Sequence, residues 1–142
     1  MRPVIIVGTD FSETSLHAAR EARRLGGALG GVVEVIHVRE GLRRDPFVPD
    51  DAQRAWLESA EIPVDDLCVR WGTAWVELVR LAQERDAALI VTGTHGLTGF
   101  QPMALGSTAE RLAVLAPRPV VLVGPREVAK TSPDNHTHGS WK

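Results

Sequence analysis

Short apolar runs alternate along this chain with longer segments in which apolar residues recur every three or four positions. Four runs, residues 3–8 (PVIIVG), 32–38 (VVEVIHV), 88–93 (ALIVTG) and 119–124 (PVVLVG), are rich in Val and Ile and bounded by Gly or Pro. Three of them are almost continuously apolar, which fits strands covered on both faces of a parallel sheet. A fifth run, 66–71 (DLCVRW), sets Leu67, Val69 and Trp71 against Cys68 and Arg70, as an edge or half-exposed strand would.

The intervening segments have the helical period. Residues 12–26 place Leu16, Ala19, Ala22 and Leu25 on one side and Arg20, Arg23 and Arg24 largely on the other, with Gly26 and Gly27 expected to end the helix. A weaker helix is predicted over about 50–60, with Ala52, Ala55 and Trp56 inward. Residues 73–84 bring Trp75, Leu78, Val79 and Ala82 together, and residues 107–116 bring together Ala109, Leu112, Ala113 and Ala116 before Pro117 stops the helix. Strands alternating with helices predict a single-domain α/β fold, an open doubly wound parallel sheet with helices on both faces. The domain is expected over 1–125. Residues 126–142 have no periodicity and are expected to be a disordered tail, in which His136 and His138 make a poor metal site.

Composition narrows the function classes. The chain has 142 residues, 44% hydrophobic and 24% charged, enough for one packed core. Sixteen basic against 18 acidic residues leave a net charge of −2, so nucleic acid is not an expected partner. No apolar run approaches the roughly 18 residues of a membrane span, and the first run is too short for a signal peptide. With one cysteine, Cys68, there is no internal disulfide. The expectation is a cytoplasmic protein with an inert core thiol.

Two strand ends carry unusual chemistry. Ligands of such sheets bind beyond the carboxyl ends of the strands, where strand order reverses. After the first strand comes GTDFSETS, and after the fourth comes GTHGLTGFQPMALGSTAERL. Glycines are costly in regular structure, roughly 0.5–1 kcal/mol each, so Gly93, Gly96 and Gly106 point to a tight turn or a close approach. Gly106, Ser107 and Thr108 open a helix whose free N–H groups could cradle phosphate. Ser107 to Glu110 also reads as a capping box, which needs no ligand. Asp10 is open to two readings too, helix cap or acceptor for a sugar hydroxyl or base amine. His95 sits in the glycine-rich turn with no catalytic partner in view. His17 and His37 read as structural.

The spacing Gly93-x2-Gly96-x9-Gly106-Ser107 resembles the ATP-binding motif of the universal stress protein family. TDFSETS, VIHV and APRPVVLV resemble that family's first loop, second strand end and last helix-to-strand join, so the likeness spans about residues 3–124. The resemblance implies strand order 3-2-1-4-5, the adenine nucleotide alpha hydrolase-like arrangement. It implies ATP, or ADP or AMP, as ligand. Thr9, Asp10 and Val38 would hold the nucleoside, Gly93 would lie by the ribose, and Gly96, Gly106, Ser107 and Thr108 would hold phosphates, with Mg²⁺ or Mn²⁺ possible on them. It also implies a homodimer through residues 119–124.

This chain departs from the family in a short 40–63 segment, Gly72-Thr73-Ala74 in place of Gly-x-Pro, Pro102 in the phosphate-side loop, and Gly8 before Thr9. A stress-response module acting through nucleotide-dependent shape or partner contacts is the first expectation. A slow ATPase or adenylate-transfer enzyme and a dimeric scaffold without nucleotide are the alternatives. No general base is positioned by the sequence, so catalysis is not favoured.

Overall fold

The computed structural model describes residues 1–42, 44–96 and 104–125. Five strands, β1 (Val4–Thr9), β2 (Val32–Arg39), β3 (Leu67–Trp71), β4 (Leu89–Gly93) and β5 (Val120–Val123), alternate with four helices, α1 (Glu13–Leu29), α2 (Asp51–Ser59), α3 (Ala74–Glu84) and α4 (Ser107–Leu115). The strands form one parallel sheet in the order β3-β2-β1-β4-β5, as expected. Register pairs Thr9 with His37 and Val7 with Val91, so β1 lies between β2 and β4.

Alternation along the central strands divides the core in two. Ile5, Val7, Val35 and Val91 face α1 and α2, packing with Ala18, Ala22, Trp56 and Leu57. Ile6, Ile36 and Ile90 face the other way, onto Leu78, Leu81, Ala82 and Leu112 of α3 and α4. Each fully buried Ile or Val contributes roughly 1.5–3 kcal/mol over leaving it in water, and both faces must be covered, which is why these strands read as near-continuous apolar runs. On the edge strand β3, Arg70 is covered by α3, making a two-pronged ion pair with Glu84 at 2.7 and 2.9 Å. Cys68 packs, half-buried, against the α3–α4 core.

Three helix expectations are corrected. α1 does not end at Gly26 and Gly27 but continues to Leu29 and ends on Gly30, whose φ of 66° is left-handed. Gly26 is there for closeness, since a Cβ on it would lie 3.0 Å from the Val33 Cγ2. In α2, Ala52 and Ala55 are exposed, and the inward residues are Trp56, Leu57 and, at the cap, Ala60. The Trp56 indole sets that rotation by donating across the core to the Ser12 carbonyl at 2.9 Å. On α4, Ala113 is exposed, so the buried stripe is Ala109 and Leu112. The tail 126–142 and Pro102 lie outside the described residues.

Candidate functional site

The first loop is built on a strained residue. Phe11 adopts φ 64°, a conformation that costs a side-chain-bearing residue about 1–2 kcal/mol. Several contacts hold it there. Its N–H donates to the Thr9 Oγ1 at 2.8 Å, and the Ser12 N–H donates to the Asp10 Oδ1 at 3.0 Å. Its ring stands edge-on to Trp56 at 5.4 Å, stacks with Phe47 at 5.9 Å, and meets His37 at 4.6 Å.

The hydroxyls form a directed chain. Ser15 Oγ donates to the Ser12 carbonyl at 2.8 Å, so in the 2.9 Å Ser15–Thr9 contact the Thr9 hydroxyl is the donor. The Thr9 carbonyl in turn accepts from the His37 Nδ1–H at 2.9 Å. Burial lowers the His37 pKa, and the bond to Thr9 opposes this only in part. Thr9 is thus committed to shaping the loop. Ser12 is the α1 cap, accepting from the Ser15 N–H at 3.1 Å.

The second loop is built on missing side chains. A Cβ on Gly93 would stand 2.8 Å from the Thr14 Cγ2 of α1, and one on Gly96 would stand 2.3 Å from the Asp10 Oδ2. One on Gly106 would stand 3.2 Å from the Thr94 carbonyl, which accepts the Gly106 N–H at 2.7 Å. The glycines therefore press the β4–α4 connection against the first loop and against itself. None of these three needs a left-handed φ. His95 braces the same connection. Its Nδ1 accepts from the Thr94 hydroxyl at 2.7 Å while Nε2–H donates to the Ala104 carbonyl at 2.5 Å. Both ring nitrogens are engaged, an arrangement suited to holding the loop.

The capping box expected at Ser107 does not form. Gly106 occupies the N-cap with φ −64° and ψ 159°, and among the described residues no side chain caps the helix. Ser107 is the first helical residue, and the N–H groups of the first turn have no acceptor within the helix.

Between the two loops lies a cleft of about 300 Å³ at the carboxyl ends of β1, β2 and β4. All eight residues singled out from the sequence, Thr9, Asp10, Val38, Gly93, Gly96, Gly106, Ser107 and Thr108, line it. Ile36, Ala74 and Leu78 form, beside Gly8, an apolar wall that sequence reasoning missed, along with Glu40 at the rim and Thr92 and Thr94 by the second loop, where His95 also lines the cleft. Register could have found some of them, because Gly8 pairs with Ile36 one step before the strand ends.

Backbone direction sets where the Val38 carbonyl points. The Arg39 carbonyl accepts from the Gly72 N–H on the β3 side, so alternation turns the Val38 carbonyl toward the end of β1. There the Phe11 N–H, which a continuing strand would offer, is bonded to Thr9 instead. Among the described residues no three His, Cys, Asp or Glu side chains gather to hold a metal, and no helix is long and apolar enough to cross a membrane.

A family model described as the universal stress protein family matches residues 1–124. The chain belongs to the universal stress protein family. As such a protein it is similar to Universal stress protein MJ0531 of Methanocaldococcus jannaschii, with 32% identity over 139 residues spanning 84% of this chain and 80% of the relative. The solved structure of a universal stress protein in complex with cAMP matches with a TM-score of 0.60 and 26% identity, over 85% of this chain and 95% of that one. The structure of MJ0577, from the same archaeon, matches with a TM-score of 0.66 over 89% of this chain and 98% of its own. At 19% identity that second likeness bears on the fold alone.

Proposed function

We propose that the cleft binds an adenine nucleotide, with ATP, ADP and AMP as candidates, and that this universal stress protein acts by nucleotide-dependent shape or partner contacts in the cytoplasm. The observation that carries the reading is the polarity of the cleft. Ile36, Ala74 and Leu78 line one end with the Val38 backbone, on the β2 side of β1, and the start of α4, without a side-chain cap among the described residues, lines the other, beyond β4. The first end suits a purine, whose edge needs backbone hydrogen bonds, and the second suits phosphate. Asp10 would accept from the nucleoside, Gly93 would lie by the ribose, and Gly96, Gly106, Ser107 and Thr108 would meet the phosphates. The similar universal stress protein solved with cAMP supports an adenine nucleotide as the ligand class.

The test is calorimetry with ATP, ADP, AMP and inorganic triphosphate. Asp10→Ala is expected to weaken ATP roughly tenfold to a hundredfold, because hydrogen bonds to charged groups are worth about 1.5–3 kcal/mol, and to leave triphosphate nearly unchanged. Equal losses would remove Asp10 from the nucleoside side. No heat with any nucleotide would favour the scaffold reading. The edge strand β5, with Leu122 exposed, is the proposed homodimer surface. Light scattering is expected to give about twice the 15.4 kDa chain mass.

A further inference from the structure

One hydroxyl of the cleft is buried without a good partner. Thr92 of β4 lines the cleft and is only 6% exposed. Among the described residues its hydroxyl makes one hydrogen bond, to the carbonyl of the next residue, Gly93, at 3.4 Å. A good O–H···O bond measures about 2.5–3.0 Å. The neighbouring hydroxyls are better served, since Thr9 and Ser15 bond each other at 2.9 Å and Thr94 bonds His95 at 2.7 Å. Burying a hydroxyl without a compensating bond is unfavourable, and Val, of nearly the same shape, suits a strand at least as well. Register places this hydroxyl. Ile90 faces α3 and α4 and Val91 faces α1, so alternation turns Thr92 to the α3 and α4 side. Gly8 pairs with Ile36, and one step past the Val7–Val91 pair it stands beside Thr92. The row Ile36–Gly8–Thr92 is thus a floor of the cleft, and Gly8 leaves its middle to Leu78, whose Cδ1 would lie 3.0 Å from a Cβ there. The bond to the following carbonyl leans the Thr92 hydroxyl toward the carboxyl end of β4, where the cleft opens.

We propose that Thr92 is a specificity-determining residue of the cleft, whose hydroxyl bonds a ribose hydroxyl and makes the site prefer ribonucleotides to nucleotides with no sugar hydroxyl. The proposal rests on the nucleotide reading above. A nucleotide with its base on the Ile36, Ala74 and Leu78 wall and its phosphate at α4 carries its sugar across β1 and β4, over Gly8 and Thr92. The hydrogen-bonding groups of that middle part are the 2′ and 3′ hydroxyls, and a hydroxyl both donates and accepts, as Thr92 does. A ribose completes the bonding of the Thr92 hydroxyl, whereas a sugar without hydroxyls leaves it as poorly partnered as in the free protein.

Calorimetry on the full chain with ATP and 2′,3′-dideoxy-ATP, for the wild type, Thr92→Val and Thr92→Ser, tests it. Thr92→Val is expected to weaken ATP about three- to tenfold, the range of one neutral hydrogen bond, and to leave the dideoxy nucleotide within about twofold. Any contact that Asp10 makes to the sugar is lost with the dideoxy nucleotide in every protein alike, so the comparison isolates Thr92. Thr92→Ser keeps the hydroxyl and is expected to keep most of the preference for ATP. The free Thr92→Val protein is expected to melt no lower than the wild type, because the hydroxyl it lacks is poorly bonded. Equal weakening of both nucleotides by Thr92→Val, with a lower melting temperature or without, would make the hydroxyl structural, and no change in either would make it idle. Each of those results overturns the proposal and leaves nucleotide binding standing. Failure of both nucleotides to bind the wild type would overturn the nucleotide reading and this proposal with it.

Discussion

Two of the helices that begin at the cleft, α1 and α4, begin in opposite ways. α1 is closed by its own residues, with Ser12 capping the Ser15 N–H and Asp10 accepting from the Ser12 N–H. α4 starts on Gly106 with no side-chain cap among the described residues, although Ser107 and Glu110 have the spacing of a capping box. The difference comes from one contact. The Gly106 N–H is drawn to the Thr94 carbonyl at 2.7 Å, and this places Ser107 inside the helix, one position past the cap. A helix start closed by side chains uses its first N–H groups within the fold, whereas one without such a cap leaves them to partners outside the helix. The first loop also rests on packed aromatics and a strained backbone, while the second rests on glycines that let backbone and side chain touch.

The sharpest way to break this contrast is to remove the aromatic support of the first loop. Phe11→Ala is expected to destabilise the protein by about 3 kcal/mol, the low end for a buried Phe because this one is half-buried. Phe11→Gly is expected to recover about 1 kcal/mol of that, since glycine relieves the left-handed φ. Denaturant unfolding measures both, and a Gly variant no more stable than the Ala variant would show that the strain is absent in solution.

Next comes the contact between the loops. Gly96→Ala places a Cβ on the Asp10 carboxylate, and a loss of about 1–2 kcal/mol in stability is expected, in the range of local overpacking. In an Asp10→Ala background the same change is expected to be nearly neutral. A double-mutant cycle with no coupling would separate the two loops.

The caps give a smaller effect. Ser12→Ala is expected to cost about 1 kcal/mol, and Ser107→Ala less than about 0.5 kcal/mol. Equal losses would mean that Ser107 caps α4 after all.

The smallest effect is a slope with pH. Burial holds the His37 pKa below its ordinary value of 6.5 in the folded protein. The unfolded chain then binds more protons in the window just below that value, so stability is full above it and falls as pH drops through it. Thr9, Asp10 and Arg39 are the polar and charged groups that act on this imidazole. Acidification should therefore loosen the first loop before the second. Hydrogen exchange at the Phe11 and Gly106 amides, compared at two pH values after correction for intrinsic rates, measures the difference. His37→Gln removes the slope if His37 is its source.

Local pattern alone determined which segments are strands and which are helices, because burial on two faces writes continuous apolar runs and burial on one face writes a 3.6-residue stripe. The glycine spacing and the short polar loop also marked the residues that meet in one cleft, since a glycine required for close approach is visible in the sequence even when its neighbour is not. Tertiary structure decided where the elements stop and which way they turn. α1 runs through Gly26, whose missing Cβ makes room for Val33, and ends on the left-handed Gly30, α2 turns Trp56 inward where the Ser12 carbonyl accepts its indole, and α4 starts on Gly106, which Thr94 holds. It also decided that Ala74 and Leu78 wall the cleft and that Glu40 sits at its rim. Each of these depends on a contact between residues far apart in the chain, or brought together by a turn. Such contacts outweigh a local preference of about 1 kcal/mol and leave no periodic trace in the sequence.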